Sequence, residues 1–221
     1  MRPTNKILLT FIILLLLMVA LNKAIVRNKI ELAPYWSGKV IVEKMNFKPV
    51  SSFDISGLYE VNIIRSDSSY FRMEGAAEIL QDYTHYGENK GRLLISPKAE
   101  VNDNVSRNQF WIYTPCIDSL FVSNNAIVTL VNFSEKEINI VARDSVVVMS
   151  KYCTFTSAKL TGRNKALFFI DKVKDAWVNL TGFSNASVKV DGGEISGKVD
   201  RNSEWLLEGN VKNNSILKNL Q

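Results

Sequence analysis

VNLTGFSNASVKVDGGEISGKV, residues Val178–Val199, alternates short runs of Val, Leu and Ala with polar residues and breaks every few positions at Gly, Asn, Ser or Asp. A period of two marks a half-buried strand. The interrupting residues are those that turn a chain or tolerate left-handed backbone. No apolar stripe of helical period runs through it.

The pattern recurs on both sides. LFVSNNAIVTLV from Leu120, INIVARDSVVVMS from Ile138, AKLTGRNKALFFI from Ala158, WVNLTGFSNASVKV from Trp177 and ISGKVDRNSEWLLEG from Ile195 each read as strand, polar tip, strand. Their starts lie 18, 20, 19 and 18 residues apart. The tips are SNNA, ARDS, TGRN, TGFSN and DRNS. Alignment puts Val122, Ile140, Leu160 and Leu180 in one apolar column, and Leu130, Val148, Phe169 and Val190 in a second. A repeat of this length is too short for a propeller blade of ~40 residues or a helical hairpin of ~34. A leucine-rich frame is absent. The spacing predicts coils of a β-solenoid, stacked at about 4.8 Å with hydrogen bonds along the axis. The alternative, an antiparallel sandwich, gives no reason for in-register columns.

Ahead of the repeats, VIVEKM (Val40–Met45) reads as a strand. FDISGLYEVNIIRSD (Phe53–Asp67) reads as a hairpin, or as two strands joined by a tight turn. AAEILQDY (Ala76–Tyr83) reads as a helical turn or short helix. GRLLISPK (Gly91–Lys98) and QFWIYTP (Gln109–Pro115) return to strand. The chain thus divides into a hydrophobic segment (1–30), a connector (31–46), an N-terminal β section (47–115) and coils (116–221). The polar end VKNNSILKNLQ reads as a cap on the last coil.

Ile7–Leu21 is a 15-residue apolar run broken only by Thr10 and preceded by Arg2 and Lys6. As a helix it would span roughly 22 Å, against a hydrocarbon core of ~30 Å. No small-x-small cleavage site follows, so the segment reads as an uncleaved signal-anchor, with a cleaved signal peptide as the alternative. No Cys follows it, which removes a lipoprotein anchor. Lys23, Arg27 and Lys29 on the far side leave orientation open.

The net charge of +5 and the pI near 9.1 have a local origin. Residues 1–30 hold five basic side chains and no acid, and the rest carries 22 of each sign. A neutral body lacks the field that a phosphate backbone rewards, so nucleic acid is not an expected partner. Cys116 and Cys153 fall two coils apart and are expected to be free thiols.

Catalytic and metal chemistry find little footing, and no cofactor is expected. His85, the one histidine, sits in polar QDYTHYGENKG with no nucleophile elbow around it. One His and two Cys have no ligand spacing for zinc. Asp191, Glu194, Asp200, Glu204 and Glu208 are interleaved with Lys189, Lys198 and Arg201, as on a solvated face. Of the four tryptophans, Trp36, Trp111, Trp177 and Trp205, the latter two fall in the coils. They are the candidates for outward rings that stack on sugars, against the plainer reading of coil packing.

The opening FDISGLYEVNIIRSD, the G-x-L-x-I strand GRLLISP, and the junction QFWIYTPCIDSLFVSNNAIV together resemble the auto-transporter adhesins of the head GIN domain family, common in Bacteroidetes. The resemblance covers roughly residues 47–210 and departs at the tips, where that family favours Ser-Gly-Ser-Gly. It implies a signal sequence, a right-handed parallel β-helix at the cell envelope, and no catalytic residues. The expected protein is therefore a non-catalytic, exported β-solenoid with an N-terminal transmembrane or signal helix, held at the membrane and serving adhesion to envelope polysaccharide or protein. A bactofilin-like scaffold that polymerises through its solenoid is the first alternative. A polysaccharide-acting β-helix enzyme is the second.

Overall fold

The computed structural model describes residues 40–76, 84–89, 91–97 and 108–218. The apolar run 7–21, Trp36 and the helical reading of 77–83 lie outside the described residues. Among the described residues there is no helix, and none that is long and apolar enough to cross a membrane.

Among the described residues, seventeen strands form one continuous hydrogen-bonded wrap, a β-solenoid of about five turns. The strands are β1 (Val40–Asn46), β2 (Ser52–Ser56), β3 (Tyr59–Arg65), β4 (Tyr70–Ala76), β5 (Thr84–Asn89), β6 (Arg92–Pro97), β7 (Asn108–Thr114), β8 (Ser119–Ser123) and β9 (Ile127–Val131). They continue as β10 (Ser134–Arg143), β11 (Val147–Lys151), β12 (Thr154–Arg163), β13 (Leu167–Thr181), β14 (Asn185–Asp191), β15 (Glu194–Val199), β16 (Glu204–Asn210) and β17 (Asn213–Lys218).

From Ser119 onward each coil lays one strand on a first face and the next on a second. The first face runs β8, β10, β12, the latter half of β13, β15, β17, all parallel. The second runs β9, β11, the first half of β13, β14, β16, also parallel. Residues 134–137, 154–157 and 173–175 make a short third side.

The register revises both sequence-derived columns. On the first face the inward residues in line are Leu120, Ile140, Leu160 and Val178, beside Val122, Ala142, Gly162, Leu180 and Val199. On the second they are Val128, Val148, Phe168, Ala186 and Trp205. Repeat lengths vary, so an alignment by apolar character alone slipped by one or two residues. A one-residue slip exchanges inside for outside. Phe168 is buried, and Phe169, which the sequence placed in the core, points outward at 49% exposure. Sizes compensate within a coil: a Cβ on Gly162 would lie 2.7 Å from the Phe168 ring.

The N-terminal β section belongs to the same stack, in an order the sequence did not suggest. Strands β2 and β3 do not pair with each other as a hairpin. They are successive sides of one coil, turned at Gly57, whose φ of +113° suits only glycine. On one edge β2 pairs with β6 and on the other with β8. Likewise β3 lies between β7 and β9. This early coil is therefore inserted between two coils that follow each other in sequence. Beyond it the N-terminal end is closed by antiparallel strands: β4 and then β1 on the β7 side, and β5 on the β6 side. Tyr59, Phe71 and Phe110 fill the core beneath, with Phe110 5.0 Å from Tyr59 and 5.6 Å from Phe71 between ring centres.

Residues 213–218, expected as part of a cap, run as a further strand of the stack. Asn213–Lys218 extend the first face as β17. The inward positions there carry Asn214, Ile216 and Lys218, so the final layer turns polar. Inward charge on an edge strand discourages pairing with another chain.

Candidate functional site

The feature that repeats with least variation is the row of tips between the two main faces. Four successive tips each have two consecutive residues in left-handed backbone: Asn124 and Asn125, Asp144 and Ser145, Asn164 and Lys165, Gly182 and Phe183, with φ between 54° and 68°. Asn, Asp and Gly accept this conformation most readily, which is why the sequence marks these points. Ser145, Lys165 and Phe183 adopt it because the stacked coils require the same turn at the same height.

The tips bond to one another through the backbone. Asn125 N–H donates to Asp144 O (3.0 Å), Ser145 N–H to Asn164 O (2.9 Å) and Lys165 N–H to Gly182 O (2.8 Å). Side chains add a second ladder. Asn124 Nδ2 donates to Ser56 Oγ (2.8 Å) and Asn164 Nδ2 to Asp144 Oδ1 (3.1 Å), while Gly182 N–H donates to Asp200 Oδ2 (2.7 Å). Burial alone would raise the Asp200 carboxyl, but hydrogen bonds from Ser203, Gly182 and Asn202 outweigh it and hold the group below the ordinary carboxylate value.

Along this ridge runs an open groove of about 420 Å³, lined by these eight tip residues. Phe183 stands over its end, 61% exposed. Asn124 and Asn164 each spend one amide hydrogen in the ladder, out of the two hydrogens and one acceptor oxygen that an amide carries. Asp144 and Lys165 bring one charge of each sign. The groove therefore offers amide pairs, a carboxylate, an ammonium group and an aromatic face at fixed spacing. It has no nucleophile paired to a base, and no group of three or more His, Cys, Asp or Glu among the described residues could hold a metal ion.

The tryptophans chosen from the sequence part company. Trp177 faces outward on the first face, 36% exposed, with the Lys159 ammonium 5.1 Å from its ring centre. Trp205 is in line with inward Ala186 and packs against the core, so it is a packing residue and not an outward one. Trp111 is partly covered by the Arg72 guanidinium at 5.3 Å. His85 lies on β5, opposite Ser96. Cys116 and Cys153 are free, and burial is the foremost cause that raises both thiols. Phe183 was legible only as part of a tip. Its exposure follows from sitting in left-handed backbone at a corner, where the side chain has no interior to enter.

No family model matches the chain, and no curated protein does. Solved structures do. A "putative adhesin" from Bacteroides fragilis superposes with a TM-score of 0.63 at 13% identity, over 83% of this chain and 95% of that one. A "putative lipid binding protein" from Parabacteroides distasonis gives 0.47 at 14% identity, over 82% and 98%. A "putative adhesin" from Parabacteroides merdae gives 0.44 at 10%, over 84% and 98%. The first of these shares the β-solenoid fold with this chain.

Proposed function

We propose that the protein is a non-catalytic, adhesin-like β-solenoid of the cell envelope that binds an envelope polysaccharide along its ridge of tips. The observation that carries this reading is the groove, in which successive coils present Asn124 and Asn125, Asp144 and Ser145, and Asn164 and Lys165 beside the exposed Phe183 ring. A hydroxylated polymer is the ligand class with hydrogen-bonding groups at regular intervals and apolar ring faces for an aromatic side chain. The coils are read as right-handed, the sense that nearly all parallel crossovers take. The motif pattern that resembles the head GIN domain family and the fold shared with an adhesin-named protein support export, with Ile7–Leu21 as signal or anchor. Trp177 offers a lesser stacking position on the first face. The filament alternative is disfavoured by the antiparallel closure of one end and by the inward Lys218 at the other.

The test is retention of the purified protein on immobilised envelope polysaccharide, compared with Phe183→Ala and Asn164→Ala. Both variants should elute at least about fivefold earlier in competitor concentration, with unchanged melting, as expected for loss of one stacking or one polar contact. Equal retention of all three proteins would sink the ridge as the site.

A further inference from the structure

The outward surfaces of the two main faces differ in how their apolar residues are grouped. Outward positions on the first face read Ser52, Ser119, Asn139, Lys159 and Trp177 along one line and Phe121, Val141, Thr161, Asn179 and Lys198 along another, so Trp177 is set apart from Phe121 and Val141 by polar residues. The second face carries Ile127, Val147 and Leu167 in one line and Met149 and Phe169 in the next. These face away from the core, and none is fully buried. A contiguous apolar surface of this kind marks a docking surface.

We infer that the second face is the interface for a second copy of this chain, packed face to face about a two-fold axis parallel to its strands and centred on β11. Three observations select that occupant. The first is shape. From one end, the outward rows are those of β7, β3, β9, β11, β13, β14 and β16. The two-fold carries each row onto its mirror about β11 in the partner. Phe169, projecting at 49%, then meets Thr129, which is recessed at 6%, and the match occurs twice.

The second is chemistry. Under the same operation Ile127 meets Leu167, Val147 and Met149 meet their own copies, and Asn62 meets Ser187. At the edges Glu60 meets Asn185 and Gln109 meets Glu204, so each carboxylate finds an amide. The rim mixes both signs, with Glu60, Glu204, Lys151 and Lys189, and lacks the basic ring that anionic headgroups would favour. The third is area. Seven strands at about 4.8 Å by five residues at about 3.3 Å give a plane near 34 by 17 Å, or on the order of 1,100 Å² across both copies, above the ~1,000 Å² that a specific interface needs. Sheets packed this way sit about 10 Å apart with interdigitated side chains. This inference concerns a different face from the ridge and stands or falls independently of it.

The test is cross-linking of the full chain in native membranes. Single-cysteine variants Val147→Cys and Met149→Cys, in a Cys116→Ser, Cys153→Ala background, should be joined into dimers by a short homobifunctional maleimide, because each faces its own copy across the ~10 Å between sheets, a gap too wide for a direct disulfide. Trp177→Cys on the first face should not. Ultracentrifugation of the detergent-solubilised chain should give a dimer that Phe169→Lys weakens by at least about tenfold in Kd. Circular dichroism confirms that each variant is folded, which is expected because these side chains point outward. Absence of self-cross-links at both 147 and 149 from folded protein would overturn the proposal. So would a chain that sediments as a monomer, or dimers that form equally through position 177. Flotation of that monomer with neutral phosphatidylcholine vesicles, lost in Phe169→Lys, would reassign the face to the membrane surface.

Discussion

Gly197 holds φ at +140°, and a Cβ there would collide with the carbonyl oxygen of Val178 in the coil beneath. Gly197→Ala should therefore cost at least about 2 kcal/mol, seen as a lower midpoint in urea with an unchanged slope. The opposite sign is expected at Lys165, where a long side chain sits in left-handed backbone at φ 68°. Lys165→Asn should stabilise the protein by about 0.5 kcal/mol, measured the same way. Asp200 gives a pH signature. Its carboxyl is lowered in the folded state, so its contribution is present above the ordinary carboxylate pKa and is lost as pH falls through the lowered folded value. Asp200→Asn should melt lower at neutral pH and lose that part of the acid dependence, which thermal melts from pH 7 to 2 will show. Cys153 is 2% exposed with its thiol raised by burial, and should resist alkylation at neutral pH until the chain is unfolded. Mass spectrometry of the alkylated protein reads this directly. Single positions of this kind were partly visible in advance. Asn124, Asn125, Asp144 and Asn164 could be read as corners because their chemistry suits left-handed backbone. Phe183 and Lys165 could not, because the stack imposes a conformation that their own chemistry disfavours.

Strand by strand, type was easier to read than phase. Alternation marks a strand wherever one side is buried and the other wet, and it located β8–β16 closely. The second face defeats that rule. Its outward side is apolar, so VVVM (Val146–Met149) and ALFFI (Ala166–Ile170) read as continuous hydrophobic runs with no inherent in and out. That is how Phe169 came to be placed in the core while Phe168 occupies it. The packing makes the distinction measurable. Phe168→Ala should cost about 3–4 kcal/mol in the urea midpoint, since it opens a void against Gly162 and Val148, whereas Phe169→Ala should cost well under 1 kcal/mol in a dissociated chain. FDISGLYEVNIIRSD was legible as two strands and a turn, but not in its pairing. A Gly turn between parallel-stacked sides looks the same in sequence as a hairpin turn, and the partners lie on strands 40 and more residues away.

For the chain entire, the sheet runs across residues 115–116 without a break, because β2 pairs directly with β8 and β3 with β9. A fragment spanning residues 116–221 should thus expose the edges of β8 and β9 and aggregate, whereas residues 40–221 should stay soluble; light scattering of the two at equal concentration checks this. The candidate site was legible as a row of tips and invisible as a groove, since a groove needs the heights of successive corners and those come only from register.

The inserted coil has a mechanical meaning. Load applied through the N-terminus first reaches β1, which peels from β4 one row at a time like an opening zip. It then meets β2, gripped along both edges by β6 and β8, and every hydrogen bond on two sides must yield together. The strand acts as a cleat: a protein tethered at that end under shear gives up β1 at low force and holds its coils until a much higher one.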